Sequence, residues 1–277
     1  VAAYHIKKGF DIPLEGEAPK AVQDLPASPV VAFYPDEFPF TKWQLLVAEG
    51  DRVQVGTPIA ASKEDPQTLF CSSVSGSVQK IIRGERRKLL SVVMQNDGAG
   101  EAVDFGAWDS KKLKAAEPAK IIAQLKSGGM WPLIKQRPFG KIAVSTQPPK
   151  ALFINAMETA PLAADQEFLL RGRDKEFALG LLAMRRIVEK EIHLCMHEEC
   201  KSEILTNAEG VEKQTFSGPH PAGLSGTHIG LISPINKGET VWTITAYQLS
   251  LIGEFLMSGK HPDKQLVAVV GPKAARR

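Results

Sequence analysis

Val47-Ala48-Glu49-Gly50-Asp51-Arg52-Val53-Gln54-Val55-Gly56-Thr57-Pro58-Ile59 is followed shortly by Cys71-Ser72-Ser73-Val74-Ser75-Gly76-Ser77-Val78. An apolar-x-x-Gly-Asp-x-Val-x-x-Gly run closed by a Ser-Gly-x-Val turn describes short strands joined by tight reversals. The glycines stand where the chain turns back, and Asp51 carries a carboxylate able to accept turn amides. Working outward, short apolar runs at 30–33, 44–47, 76–82 and 89–94 are separated by Gly, Pro and Asp clusters, which is the signature of strands. Gly84-Glu85 between Arg83 and Arg86 reads as a hairpin turn with glycine supplying the positive φ. No long helical period precedes Lys111, so residues 1–100 are expected to be all β, without a helix.

The paired pattern resembles the biotinyl/lipoyl-type barrel-sandwich fold. Its best-known use is a swinging arm, with a modified lysine at the tip of the hairpin between the two halves. That interval offers Lys63 alone, in Ala61-Ser62-Lys63-Glu64-Asp65-Pro66. Flanking methionines are missing and Pro66 bends the segment. A fold does not bring its commonest function with it, so a scaffold is expected here rather than a carrier.

Beyond residue 100 the pattern changes. Asn96 to Pro118, with Gly98, Gly100, Gly106 and Pro118, reads as a linker, and the domain boundary is set at 101–118. Ile121, Ile122 and Leu125 predict a helix over 119–127, stopped by Gly128-Gly129. A buried strand is predicted at 151–155. An amphipathic helix over 176–190 places Phe177, Leu181, Met184 and Val188 on one face. Strands at 192–196 and 241–245 follow, the latter leading into a helix over 246–258. Thr245 and Gln248 fit a capping box there, and Gly259 ends that helix. A last strand is predicted at 265–270. Alternating strands and helices imply a mostly parallel sheet. The expected class is therefore α+β with two domains: a barrel-sandwich (biotinyl/lipoyl-like) β domain at 1–100, the 101–118 linker, and a Rossmann-like α/β domain at 119–260. Residues 261–277 are expected to open a C-terminal region whose remainder lies outside this sequence.

Composition narrows the function. Thirty-four basic against 31 acidic residues leave a charge of only +3, too dispersed to argue for nucleic acid, which wants a basic stripe. A mildly basic face toward an anionic membrane or an acidic partner fits. No apolar run reaches the ~18–20 residues that span a bilayer, and residues 1–10 lack the apolar core of a secretory signal. Three cysteines, Cys71, Cys195 and Cys200, form no staple-like pattern and suit a reducing compartment.

Two stretches invite chemistry. His193-Leu194-Cys195-Met196-His197-Glu198-Glu199-Cys200 holds four soft ligands, but Cys-x4-Cys is not a zinc knuckle. A strand at 192–196 would turn His193 and Cys195 to one face, with His197 joining them only if the strand continued. No metal is expected. Phe216-Ser217-Gly218-Pro219-His220-Pro221-Ala222-Gly223-Leu224-Ser225-Gly226-Thr227-His228-Ile229 must be an ordered loop of unusual backbone geometry. It has no Gly-x-Gly-x-x-Gly, no Walker pattern and no Gly-x-Ser-x-Gly elbow. It is also expected to lack the strand–turn–helix setting those motifs need. A structural loop, closing the sheet or facing a partner, is expected.

Several stretches together resemble the A subunit of the bacterial Na+-translocating NADH:quinone reductases. They are Ile6-Lys7-Lys8-Gly9-Phe10-Asp11-Ile12-Pro13, Arg83-Gly84-Glu85-Arg86-Arg87 with Ser91-Val92-Val93, and Trp131 with Arg137-Pro138-Phe139. Further on come Phe153-Ile154-Asn155-Ala156-Met157-Glu158-Thr159, Pro161-Leu162-Ala163-Ala164-Asp165, the Ser217 to His228 string, and Val241-Trp242-Thr243-Ile244. The resemblance runs from about residue 5 to the end. It implies a peripheral subunit on the cytoplasmic face of the bacterial inner membrane, partnered by the complex's other subunits and above all by a membrane-embedded one. The complex passes electrons from NADH to ubiquinone or menaquinone and exports Na+. Its flavins, iron–sulfur centre and NAD site belong to other subunits. The family is also similar to the flavin-bearing subunit of complex I, yet the glycine-rich FMN loop and four-cysteine motif are missing from this sequence. No bound cofactor and no catalytic residue is therefore expected in this chain. Quinone binding has been associated with this family, and a histidine in an apolar slot suits a quinone carbonyl. The candidate contacts are His220, His228 and Trp131. The alternative is a free-standing flavin- or nicotinamide-dependent oxidoreductase.

Overall fold

The computed structural model describes residues 2–274. Asp51 acts as read: its carboxylate accepts the Ala48 amide at 2.8 Å, and Gly50 sits at φ 91°. These turns connect β1 (Ala2–His5), β2 (Val30–Phe33), β3 (Trp43–Leu45), β4 (Arg52–Val53), β5 (Pro58–Ser62), β6 (Leu69–Cys71), β7 (Gly76–Arg83) and β8 (Leu89–Asn96). β2-β8-β7-β4 form one sheet and β3-β5-β6 another. Phe33, Trp43, Ile59, Val78, Val92 and Met94 fill the space around them. Phe33 stacks on Phe70 at 4.1 Å and meets Trp43 edge-on at 5.5 Å.

Among the described residues of this half, helices are limited to single 3-10 turns at Pro35–Glu37 and Glu85–Arg87. The β7–β8 hairpin forms, but Gly84 has φ −95° and does not make its turn. Arg86 and Arg87 take the left-handed conformation instead, at φ 52° and 60°. The reason is register: β7 and β8 shift by one residue beside the turn, so the reversal falls further along the chain.

In the second half the elements are α1 (Ser110–Ala115), α2 (Pro118–Ser127), β9 (Lys135–Arg137), β10 (Lys141–Ile142), β11 (Ala151–Asn155), α3 (Gln166–Leu169), α4 (Asp174–Ile187) and β12 (Glu191–His197). They continue with α5 (Glu203–Thr206), β13 (Glu212–Ser217), α6 (Ser225–Ile232), β14 (Val241–Thr245) and α7 (Ala246–Ser258). The sheet order is β1-β13-β12-β11-β14-β9-β10. The first five strands are parallel, and β9 and β10 are antiparallel. β11 is buried along its whole length. Leu152, Ile154, Leu194, Met196, Trp242 and Ile244 form one core with α2, α4 and α7. Ala151, Phe153, Cys195, Phe216 and Val241 form another with Ile229 of α6. α4 and α7 meet at two glycines: a Cβ on Gly180 would strike the Leu249 carbonyl, and one on Gly253 the Glu176 carbonyl. The Thr245/Gln248 capping box is present.

Four expectations are corrected. β1 pairs with β13, so the first strand belongs to the α/β sheet and not to the N-terminal β unit. The expected linker contains α1, capped by Asp109 and anchored by buried Leu113. The helix predicted to reach residue 190 stops at Ile187, though Val188 stays buried. Residues 265–270 form no strand. β-branched content does not suffice without a ladder partner, and β14 already pairs with β11 and β9. The segment is held instead by the Leu266 amide on Tyr247 Oη, while the next residues follow with Gly271 N–H on Gly16 O, each at 2.8 Å.

Candidate functional site

Parallel strands β11, β12, β13 and β14 end at Asn155, His197, Ser217 and Thr245, on the edge where α/β sheets bind ligands. The chain leaves β11 for β12 on one side, while β14 lies on the other. A cavity of about 780 Å³ opens at this edge, lined by residues 156–158, 163–167, His197, Glu199, Lys201 and Glu17.

The wall is acidic, and its carboxylates already hold backbone amides. Glu158 Oε1 accepts from Thr159 N and Ala160 N at 3.0 and 3.1 Å. Asp165 caps α3 through Glu167 N and Phe168 N and pairs with Lys20 at 2.6 Å. Burial pushes its carboxyl upward, but the Lys20 hydrogen bond and the α3 amides outweigh that and hold it below the usual value. Glu167 Oε2 accepts from Lys201 N and Ser202 N, both at 3.0 Å. A nucleotide phosphate needs free amides and positive potential at a strand–helix turn. Here the protein's own carboxylates occupy the amides, and the loop 156–165 contains no glycine. The residues lining this cavity do not fit the phosphate of a flavin or nicotinamide nucleotide.

The histidine loop lies beside this cavity. The chain runs β13, loop 218–224, α6, so a strand–loop–helix order does surround Gly223-Leu224-Ser225-Gly226, contrary to expectation; the helix is short and apolar and gave little periodic signal. The loop is pinned from several sides. Asn155 Nδ2 donates to Gly223 O at 2.8 Å. Thr159 Oγ1 accepts the Gly223 amide at 2.9 Å and meets His220 Nδ1 at 3.0 Å. Asp11 accepts the His220 amide at 2.9 Å.

The three quinone-contact candidates are not brought together. His228 is fully buried, donates from Nε2 to Ala222 O at 2.8 Å, and lies 4.1 Å from the Phe216 ring. Trp131 is fully buried in the core on the other face of the sheet, donates to Ala143 O at 2.8 Å and sits edge-on to Trp242. His220 alone is partly exposed.

In the 193–200 stretch, β12 continues to His197. His193 and Cys195 are buried, and burial drives the Cys195 thiol far up. His193 lies 4.8 Å from the Phe153 ring, with Glu191 at 3.4 Å outside hydrogen-bond geometry. His197 Nδ1 instead accepts Glu199 N. Cys200 is raised to about 11, chiefly by burial. Among the described residues, no group of three or more His, Cys, Asp or Glu could hold a metal ion. Cys71 lies in the other unit, pushed up to about 12 by burial, so the three thiols do not fit an iron–sulfur cluster either. The β5–β6 tip carrying exposed Lys63 is tied down, since Asp65 reaches Lys126 of α2 at 2.6 Å.

The family described as the NqrA N-terminal barrel-sandwich hybrid domain matches residues 4–97. The one described as the NqrA second alpha/beta domain matches residues 116–261, just over half of the 277 residues. The chain belongs to the NqrA family. Both halves of the expected fold, a barrel-sandwich unit and then an α/β unit, carry the names of these NqrA domains. The A subunit of the Na(+)-translocating NADH-quinone reductase from Neisseria meningitidis is 36% identical over 268 residues, 96% of this chain and 59% of its own. The proteins of that name from Tolumonas auensis and Rhodopirellula baltica are 34% and 35% identical, over 96% and 97% of this chain and 59% of theirs. The chain thus spans about three fifths of the length of these NqrA relatives. Among its described residues no helix is long and apolar enough to cross a membrane.

Proposed function

We propose that this chain supplies two domains of a peripheral subunit in a sodium-translocating NADH:quinone reductase, on the cytoplasmic face of the membrane, and carries no redox group itself. The observation that supports this most is the cavity at the sheet edge. Where a nucleotide-binding relative would offer free amides to phosphate, Glu158, Asp165 and Glu167 fill them with carboxylates. NAD, flavins and the iron–sulfur centre then belong to partner subunits, one of them embedded in the membrane. The chain's own contribution is shape: a pinned loop, a mostly parallel sheet and a fixed β unit. Of the three quinone candidates, His220 takes the contact, because it is partly exposed while His228 and Trp131 are walled in.

The test is affinity purification of the protein from native membranes. Co-purification with membrane subunits and NADH:quinone activity is expected, and the isolated chain should show no stoichiometric FMN or NADH binding on titration. In the assembled complex, H220Q should slow quinone reduction while NADH oxidation by an artificial acceptor persists. Stoichiometric flavin on a chain that purifies alone would favour the free-standing oxidoreductase.

A further inference from the structure

Each unit carries a copy of one short sequence away from the sheet edge. Pro39-Phe40-Thr41-Lys42 lies in the β unit and Pro138-Phe139-Gly140-Lys141 in the turn between β9 and β10. The two phenylalanine rings meet edge to face at 6.1 Å, although they are 72% and 68% exposed. Phe40 holds φ 62°, a left-handed conformation that a bulky side chain adopts only when its surroundings fix it there. Two large rings from separate units are thus presented to solvent as one knob, with a proline before and a lysine shortly after each.

A basic surface adjoins the knob. The 3-10 turn Pro35–Glu37 leads within a few residues to Phe40, and its Asp36 pairs with Lys88 of the β7–β8 hairpin at 2.8 Å. That hairpin tip exposes Arg83, Arg86 and Arg87, with Glu85 as its one carboxylate. Ile82 and Leu90 lie partly exposed beside them. Exposed aromatic rings flanked by cations match the chemistry of the headgroup layer: rings lodge at the acyl boundary, while ammonium and guanidinium groups meet lipid phosphates.

We propose that the Phe40–Phe139 knob and the β7–β8 tip dock this protein on an anionic lipid bilayer surface. The inference rests on the reading that the chain works at a membrane face. It concerns lipid contact rather than assembly with other subunits, so the two fail separately.

Flotation of the purified protein with phosphatidylglycerol–phosphatidylcholine vesicles tests it. Wild type should float at low salt, float less as salt rises, and float poorly with phosphatidylcholine alone. F40S/F139S should bind about tenfold more weakly, from the loss of roughly half of each ring's burial. R83S/R86S/R87S should lose on the order of 100-fold, at roughly fivefold per cation. All these side chains are exposed, and unchanged far-UV circular dichroism would verify the folds. Absence of wild-type flotation, or flotation indifferent to both variants, overturns the proposal. Should wild type fail to float while F40S/F139S loses co-purification with membrane subunits, the knob binds protein and not lipid.

Discussion

His228 is held neutral by its surroundings. Burial lowers its pKa to about 4 from an ordinary 6.5, only partly opposed by its bond to Ala222 O. The unfolded chain takes up this proton near pH 6.5, the folded one only near 4. Its contribution to stability is complete above 6.5 and is lost as pH falls toward 4, by on the order of 3 kcal/mol at the limit. Burial also lowers His193 and His261, so they act in the same direction. H228Q, which keeps a donor for Ala222 O, should flatten the fall in urea midpoint between pH 6.5 and 4. Residue-scale chemistry was legible where partners are close in sequence, as in Thr245 with Gln248 or Asp51 with Ala48. It was hidden where they are distant: nothing in the string around His228 reveals the Phe216 ring over it, and Glu167 gave no sign of reaching the Lys201 and Ser202 amides.

Among elements, the crossing of α4 and α7 is the tightest test of packing. At Gly253 an added methyl meets the Glu176 backbone carbonyl, and no rotamer change can relieve that. G253A should destabilise by on the order of 3 kcal/mol. G230A in α6, where a Cβ meets nothing within 4 Å, should be neutral or gain up to about 1 kcal/mol from helix propensity. Urea denaturation of both variants provides the check, and equal effects would contradict the close approach. β11, β14 and α7 were readable to their end residues because apolar runs and caps are local signals. The predicted strand at 265–270 failed because pairing is not local: Val267 and Val269 have strand character but pair with no strand.

At the scale of the molecule, Asp65 and Lys126 join the two units. The Lys126 side chain is only 5% exposed and its ammonium stands 5.9 Å from the Trp131 ring. D65N strands a buried charge and should cost about 2 kcal/mol, tempered by the 36% exposure of Asp65. K126M removes the charge along with its need for a partner and should change stability by less than about 1 kcal/mol. Calorimetric Tm values would rank them, and a K126M loss as large as that of D65N would refute the assignment. The division into a β part and an α/β part was visible in the change of period after residue 100; the sheet order, with β1 at its far edge, was not, because four residues of extended chain look alike in either unit. That placement makes the barrel-sandwich a guest spliced into its host at two joints. A single cut near residue 100 would strip β13 of its neighbour and bare a sticky flank, so grafting or deleting the guest demands two incisions and a retained opening strand.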